Sequence, residues 1–200
     1  HRFHVYNKSD GSVVQSITDT AFWTNSGITP TGNSFDPRIV YDPHARRWYA
    51  VAVDNAQNPN NFLFAVSNTS DPSQTWTGFK IDNDSFDTHW GAFPMLGYTG
   101  EGIYISVNMV SLTTPNPQTT FLVLPKFDLL QPVPSIANMT LIEHVPRATT
   151  GFSPQPAVDA SNMFGVGMAF LSMEDVVAGT LMQSSISTPG APAIGGVITT

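Results

Sequence analysis

Short runs of apolar residues alternate with turn residues along the whole chain. Sixteen prolines and fifteen glycines separate these runs, and most runs have the length and the β-branched or aromatic content of strands. No segment keeps the 3.6-residue apolar period of a long helix. The pattern therefore predicts an all-β fold made of many short strands.

The apolar runs recur in a repeating unit. We anchor the unit on Pro37, Pro94 and Pro156, each at the start of a run, where a missing backbone N–H does not weaken a sheet. The offsets between these prolines are 57 and 62 residues. They slightly exceed the roughly 40–50 residues of familiar propeller blades, which suits blades with longer loops.

The repeat predicts a β-propeller. The first complete unit has predicted strands at residues 37–42, 47–53, 62–67 and 75–81. We predict one propeller segment of about three and a half four-stranded antiparallel blades from a larger ring, because closed propellers use roughly four to eight blades. The predicted division is a partial blade over residues 1–20 and blades over residues 36–81, 93–145 and 155–200.

One turn motif supports this fold. Residues 69–76 read Thr-Ser-Asp-Pro-Ser-Gln-Thr-Trp and resemble the Asp-box of sialidase-type propellers, Ser/Thr-x-Asp-x-Gly-x-Thr-Trp, with Ser73 in place of the glycine. Asp71 is expected to accept hydrogen bonds from amides two residues on and to fix the turn. The resemblance implies a structural role, with Trp76 packed beneath the turn.

A second resemblance covers residues 35–110. The segments Asp-Pro-Arg-Ile-Val-Tyr-Asp at 36–42, Arg-Trp at 47–48 and Ala-Val-Ser-Asn-Thr-Ser-Asp-Pro at 65–72 are similar to a family of secreted microbial propellers of uncharacterised function. The next blade of that family opens Asp-Tyr-Pro-x-Leu-Gly, and this chain has Ala92 in place of the aspartate. The resemblance implies a secreted propeller and supplies no activity.

The composition is typical of a protein outside the cell. Charged residues make up 12% of the chain, against roughly 25% in an average domain, so the predicted surface is rich in Ser, Thr, Asn and Gln. The absence of cysteine excludes disulfides and thiolate metal sites. Four Asn-x-Ser/Thr sequons permit glycosylation, at Asn7, Asn68, Asn83 and Asn138. We predict a secreted or cell-surface protein whose signal peptide has been removed before His1.

Charge and hydropathy exclude two classes of partner. The net charge is −7, and Arg46 and Arg47 are the only adjacent basic pair, so the chain would repel a phosphate backbone. No apolar run approaches the roughly 20 residues of a membrane-spanning helix. We predict neither a nucleic-acid partner nor a membrane span.

The candidate binding residues fall in or beside the loops that lead into the predicted inner strands. In a propeller these loops surround the mouth of the central channel. Aromatic faces beside amide and carboxylate groups suit a sugar. The predicted ligand-binding residues are Trp23, Asp36, Arg38, His89, Trp90 and Arg147. The alternative for the two tryptophans is that they wedge between blades.

Asp36 is the one candidate catalytic residue. Ahead of Pro37, it resembles the general base of arabinanase- or xylosidase-type glycosidases, which need a second carboxyl group across the sugar. The aligned positions, Phe93 and Gln155, are not acidic. The alternative is that Asp36 bonds backbone amides at the strand entry. Arg38 resembles an arginine of sialidases that has a proline after it in the chain, whereas here the proline, Pro37, precedes the arginine.

A short acidic segment is the candidate metal site. Three carboxylates within six residues suit a calcium ion, namely Asp82, Asp84 and Asp87. The alternative is a solvated acidic loop. The histidines lack the close spacing of a zinc motif, so calcium is the one cofactor that the sequence suggests.

Together these features predict an extracellular, non-enzymatic propeller module that serves as a scaffold or recognition surface, with a glycan or a surface protein as its partner. The alternative is a glycoside hydrolase of sialidase or arabinanase/xylosidase type, with part of its active site outside this segment. A third interpretation, a purely structural filament protein, predicts self-assembly without ligand binding or turnover.

Overall fold

The computed structural model describes residues 1–113, 115–175, 177, 179–189 and 193–199. Residue 200, where the last predicted blade ends, lies outside them. The strands are β1 (Arg2–Tyr6), β2 (Val13–Thr18), β3 (Phe35–Asp42), β4 (Arg47–Val53), β5 (Asn61–Ser67), β6 (Trp76–Asp82), β7 (His89–Tyr98), β8 (Gly102–Ser111), β9 (Gln118–Pro125), β10 (Thr140–Pro146), β11 (Phe152–Pro156), β12 (Met168–Asp175), β13 (Thr180–Ile186) and β14 (Ile194–Thr199). The described helices are α1 (Asp19–Asn25), α2 (Lys126–Leu129) and α3 (Arg147–Thr150), and none of them is long and apolar enough to cross a membrane.

Most strands belong to four-stranded antiparallel sheets in which each strand pairs with its neighbours in the chain. We call β3–β6 the first sheet, β7–β10 the second and β11–β14 the third, and β1 and β2 form a separate hairpin. The prediction of an all-β fold with four-stranded antiparallel units is confirmed. The strands predicted for the first complete unit correspond to β3, β4, β5 and β6.

The first strands of the three sheets lie side by side. β3 contacts β7 and β7 contacts β11, and Tyr98 forms a parallel bridge with Val158 just beyond β11. The backbones approach closely at Gly97, where a Cβ atom would lie 2.2 Å from the carbonyl oxygen of Ala157. This contact between sheets therefore requires glycine at position 97.

Each of these first strands contains the same bulge. A residue with positive φ precedes a proline in all three, at Asp36 (52°), Phe93 (55°) and Ser153 (51°), and the pairing with the second strand shifts there. The third unit is therefore anchored on Pro154, and the alignment on Pro156 was wrong by two residues. Both prolines lie in β11, and the apolar pattern does not distinguish which of them follows the bulge.

The apolar core lies between the sheets. The largest cluster joins the first and second sheets and includes Tyr49, Phe64 and Ile105, all fully buried. Another cluster joins the second and third sheets around Phe121 and Phe170. The middle strands of the first and second sheets, β4, β5, β8 and β9, are buried along most of their length because both of their faces are covered. In the third sheet the middle strand β13 alternates between buried and more exposed side chains.

Helix α1 covers the side of the first sheet that faces the hairpin. The Thr18 hydroxyl caps its start by accepting a hydrogen bond from the Ala21 amide at 3.2 Å. The helix buries Phe22 and Trp23 in a cluster with Trp76. The rings of Phe22 and Trp76 meet edge to face, with centroids 5.1 Å apart.

The turn at residues 69–76 has the hydrogen bonds expected of its sequence. Asp71 Oδ1 accepts from the hydroxyl of Ser73 at 2.7 Å and from its amide at 2.9 Å. These bonds hold the pKa of Asp71 below its ordinary value. Trp76 Nε1 donates to the carbonyl oxygen of Pro72 at 3.0 Å. The turn joins β5 to β6 and is held by these hydrogen bonds. Its relationship to the Asp-box stays a prediction.

Candidate functional site

Alternating strand directions bring the starts of β3, β7 and β11 to one end of the sheets. We call this the loop end, and we call the opposite end the turn end. The loop end carries residues 19–34, 54–60, 83–88, 112–113, 115–117 and 147–151. The residues predicted to bind a ligand lie at this end or directly beside it.

Asp36 and Arg38 join the first sheet to the second. Asp36 Oδ2 accepts a hydrogen bond from the Phe93 amide at 3.0 Å. Arg38 Nε donates to the carbonyl oxygen of Pro94 at 3.3 Å. The Asp36 carboxylate therefore has the backbone-bonding role that the sequence offered as the alternative to general-base chemistry.

The two candidate tryptophans differ in accessibility. Trp23 is fully buried in the cluster formed with helix α1, so its ring faces are closed to a ligand. Trp90 is half-buried and packs against Phe35, with ring centroids 6.1 Å apart. Trp23 thus has the wedge role that was the alternative to ligand stacking.

Three side chains that can bind a metal converge at the loop end. One ligand atom from each of Asp84, His89 and His144 lies within 4.8 Å of the others, and we call this group the His–Asp cluster. Asp84 Oδ1 is 3.2 Å from His144 Nε2, and Asp84 Oδ2 is 3.5 Å from His89 Nδ1. Asp84 and His89 are buried, and His144 is half-buried.

The loop between β6 and β7 fixes Asp84. Its carboxylate accepts hydrogen bonds from the backbone N–H groups of Phe86, Thr88 and His89 at 3.2, 2.8 and 2.7 Å. Burial raises the pKa of Asp84, but these hydrogen bonds outweigh burial and hold the pKa below its ordinary value. The cluster therefore contains an ionised carboxylate in a fixed orientation.

Each histidine directs one ring nitrogen to an oxygen acceptor and the other to Asp84. His89 Nε2 lies 3.3 Å from the carbonyl oxygen of Asn116, and His144 Nδ1 lies 2.8 Å from Gln118 Oε1. Because these oxygens only accept, we assign the ring protons to His89 Nε2 and His144 Nδ1. In the neutral rings, His89 Nδ1 and His144 Nε2 then present lone pairs toward the carboxylate.

His144 enters the cluster through a bulge. Its φ is 58°, and the pairing of β10 with β9 shifts between Ile142 and Val145, which is how a bulge re-aims a side chain. Sequence reasoning missed the pair of His144 and His89, because 55 residues separate them. The available signal was the broken apolar–polar alternation at residues 141–145.

The other two predicted calcium ligands lie beside the cluster. Asp82 Oδ1 accepts from the Asp84 amide at 3.0 Å, and burial raises the pKa of Asp82. Asp87 is exposed, with φ of 55°. Among the described residues, the group whose ligand atoms can share a cation combines Asp84 with the two histidines and not with Asp82 or Asp87. The calcium site stays a prediction.

A groove of about 450 Å³ opens at the loop end beside the His–Asp cluster. We call it the loop-end groove, and its apolar lining consists of Met109, Val110, Pro115, Pro117 and Phe152. The Arg147 guanidinium lies over the Phe152 ring, 4.5 Å from its centroid, and pairs with no carboxylate in the described part of the chain. Asn116 and Gln118 also line the groove. Since both also contact the cluster histidines, groove and cluster share a wall.

A larger cavity of about 760 Å³ lies at the loop end beside the first hairpin. Its lining is mostly polar and includes Asp19, Ser34 and Asn55, with Phe35 as its aromatic residue. The Ser34 hydroxyl donates to the Asp19 carboxylate. The cavity lacks the several apolar faces and the unpaired guanidinium that the loop-end groove combines.

Comparisons of the chain with protein-family models, curated proteins and solved structures give no match. Membership in the secreted propeller family therefore stays a prediction, and the residues and their geometry carry the functional argument.

Proposed function

We propose that the chain is part of an extracellular, non-enzymatic β-propeller that binds a glycan in the loop-end groove. The fold part of this proposal is supported by three consecutive four-stranded antiparallel sheets with adjacent first strands. Blades around a central axis have this order of strands. The β1–β2 hairpin would supply the two outer strands of a further blade.

The lining of the groove is the observation that carries the glycan proposal. A sugar presents apolar C–H faces together with hydroxyl groups, so its site combines flat apolar side chains with amides and charged donors. The groove has proline and phenylalanine faces, the amides of Asn108, Asn116 and Gln118, and the Arg147 guanidinium. Its volume lies within the roughly 300–1,000 Å³ of small-molecule sites.

The sequons support an extracellular location in part. Asn7, Asn68 and Asn138 are exposed, as a glycosylated asparagine must be. Asn83 is fully buried, and its side chain donates to Asn60 Oδ1 at 2.8 Å. We infer glycosylation at the three exposed sites and none at Asn83.

The surroundings of Asp36 support a binding role over hydrolysis. A glycosidase needs two carboxyl groups on opposite sides of the scissile bond. Asp36 is bonded to the Phe93 amide, and the equivalent residues of the next two sheets are Phe93 and Ser153. Neither of these two residues supplies a second carboxyl group.

A glycan array tests the proposal. We expect the wild-type protein to bind a restricted set of glycans, and Arg147→Ala to lose that binding because the groove loses its charged donor. Arg46→Ala is the matched control, since Arg46 is exposed at the turn end. Equal loss in both variants, or no glycan binding by the wild type, would contradict the proposal.

Asp36→Asn distinguishes binding from hydrolysis. Asparagine keeps an oxygen that can accept from the Phe93 amide, so binding is expected to stay unchanged. No reducing sugar is expected from any bound glycan in either protein. Release of reducing sugar by the wild type that Asp36→Asn abolishes would instead establish the glycoside hydrolase alternative.

A further inference from the structure

We propose that the His–Asp cluster binds one Zn²⁺ ion through His89 Nδ1, His144 Nε2 and Asp84 Oδ1. The site shares Asp84 with the acidic segment on which the sequence predicted calcium, but its other two ligands are histidines. It also stands independently of the glycan proposal, because it rests on the cluster itself.

The unsatisfied nitrogen of His144 is the first argument. His144 Nε2 is buried and makes no hydrogen bond, although it lies 3.2 Å from Asp84 Oδ1. Gln118 Oε1 accepts the proton of the other ring nitrogen. A buried lone pair facing a carboxylate lacks a positive partner, and such orphaned groups are costly. A bound cation satisfies the nitrogen and the carboxylate together.

His89 repeats this arrangement from the other side of the carboxylate. Its Nδ1 lies 3.5 Å from Asp84 Oδ2 and 2.8 Å from the Thr88 hydroxyl. That hydroxyl also lies 3.0 Å from Asp84 Oδ2. The Thr88 hydroxyl has one proton, so it can donate a hydrogen bond either to His89 Nδ1 or to Asp84 Oδ2 but not to both. With the ring protons assigned to His89 Nε2 and His144 Nδ1, both imidazoles direct their other nitrogen at the Asp84 carboxylate.

The spacing of the ligand atoms suits a zinc ion. Two ligands that bind one tetrahedral zinc at about 2.0–2.1 Å lie roughly 3.3–3.4 Å apart. The distance from His144 Nε2 to Asp84 Oδ1, 3.2 Å, is close to that separation, and one ligand atom from each of the three residues lies within 4.8 Å of the others. Two imidazoles and one carboxylate form a ligand set that zinc uses in proteins, whereas calcium prefers oxygen ligands throughout.

Surrounding hydrogen bonds orient all three ligands in advance. Metal-binding histidines donate their other ring N–H to a carbonyl or carboxylate, and here the carbonyl of Asn116 and the side chain of Gln118 have that place. Asp84 Oδ1 accepts one protein hydrogen bond, from the Phe86 amide at 3.2 Å. This oxygen therefore has a lone pair left for the metal.

An ion at this place would join two elements, with three protein ligands and a fourth position left for water. Asp84 and His89 come from residues 83–89, and His144 comes from β10, so the ion would tie the loop to the edge strand of the second sheet. The Phe86 ring lies 5.2 Å from the His144 ring and covers it. Through Asn116 and Gln118 the same ion would stiffen one wall of the loop-end groove.

Isothermal titration of metal-free protein with ZnCl₂ and CaCl₂ tests the site. We expect one Zn²⁺ per chain, and affinity at least about tenfold lower for Ca²⁺ and for the variant His144→Gln. His4→Gln is the matched control, because His4 is an exposed histidine on the first hairpin, and we expect it to bind Zn²⁺ like the wild type. No uptake of Zn²⁺, or equal affinity in His144→Gln, would overturn the proposal.

Cobalt spectroscopy on the wild type gives a second readout that does not depend on how well a variant folds. Co²⁺ in a four-coordinate site with nitrogen and oxygen ligands absorbs visible light far more strongly than hydrated Co²⁺. We expect this band on adding one equivalent of Co²⁺, and its loss when Zn²⁺ displaces the cobalt. A wild-type spectrum identical to that of hydrated Co²⁺ would contradict the zinc site.

Discussion

A buried carboxylate lies against the second sheet near each of its ends, and different groups face the two carboxylates. At the turn end, Asp42 Oδ2 lies 2.5 Å from Lys126 Nζ, and both side chains are almost fully buried. At the loop end, Asp84 faces His89 and His144 instead. The protein supplies its own cation at the turn end, and we propose that it takes one from solution at the loop end.

The two carboxylates are otherwise held alike. Asp42 Oδ1 accepts from the amides of His44 and Ala45 at 2.9 and 3.2 Å, much as Asp84 accepts from the amides that follow it. At the turn end the Lys126 ammonium also lies over the Tyr98 ring, 4.5 Å from its centroid. Two carboxylates that are fixed alike by backbone amides therefore differ in what faces them, a lysine at the turn end and two imidazoles at the loop end.

Removal of Lys126 is expected to give the largest effect. Burial lowers the pKa of Lys126, yet Lys126→Met would leave the Asp42 charge buried without a partner. We expect a loss of about 3–5 kcal/mol in the free energy of unfolding, measured with urea. The double variant Lys126→Met/Asp42→Asn should recover part of the loss. A loss below about 1 kcal/mol in the single variant would mean that Lys126 is not the partner Asp42 requires.

Zinc is expected to have a smaller stabilising effect at the loop end. A ligand that binds only the folded state at one hundred times its Kd stabilises by about 2.7 kcal/mol. Urea unfolding of the wild type with and without Zn²⁺ should show a gain of that order, and His144→Gln should show almost none. Equal gains in the two proteins would place the zinc elsewhere.

The turn at Asp71 is expected to give the smallest effect, because it is exposed. Asp71→Ala removes hydrogen bonds to Ser73 and should cost about 0.5–1 kcal/mol at pH 7. The folded-state pKa of Asp71 lies below its ordinary value of 3.8. The contribution is therefore present above the unfolded pKa and disappears as the pH falls through the folded value. The difference in the free energy of unfolding between wild type and Asp71→Ala should therefore shrink as the pH falls. A difference that grows on acidification would contradict this prediction.

The strands were predictable and the bulges were not. Apolar runs between turn residues located β3 to β6, because a buried strand requires apolar side chains and a turn requires proline, glycine or aspartate. The bulges at Ser153 and His144 depend on backbone φ values of 51° and 58°, which no residue type at those positions demands. Hence the third unit was misaligned by two residues.

Most of the candidate site could not be predicted either, because it too depends on backbone conformation and strand pairing. Asp84 was predicted as a calcium ligand and His89 as a ligand-binding residue, because nothing in the sequence places His144, which lies in another strand, beside both of them. Trp23 was a plausible ligand contact until helix α1 buried it. A sequence pattern shows which residues are apolar or ionisable. A site also depends on which residues the pairing of distant strands brings together, and the pattern does not show that.

The most direct test of the central claim is ¹⁵N NMR of the histidine rings in protein loaded with one equivalent of Zn²⁺. The account predicts two histidines that bind the metal, His89 through Nδ1 and His144 through Nε2, each with its other ring nitrogen protonated. The remaining histidines should keep their metal-free signals. Unchanged signals for His89 and His144 on adding Zn²⁺ would contradict it.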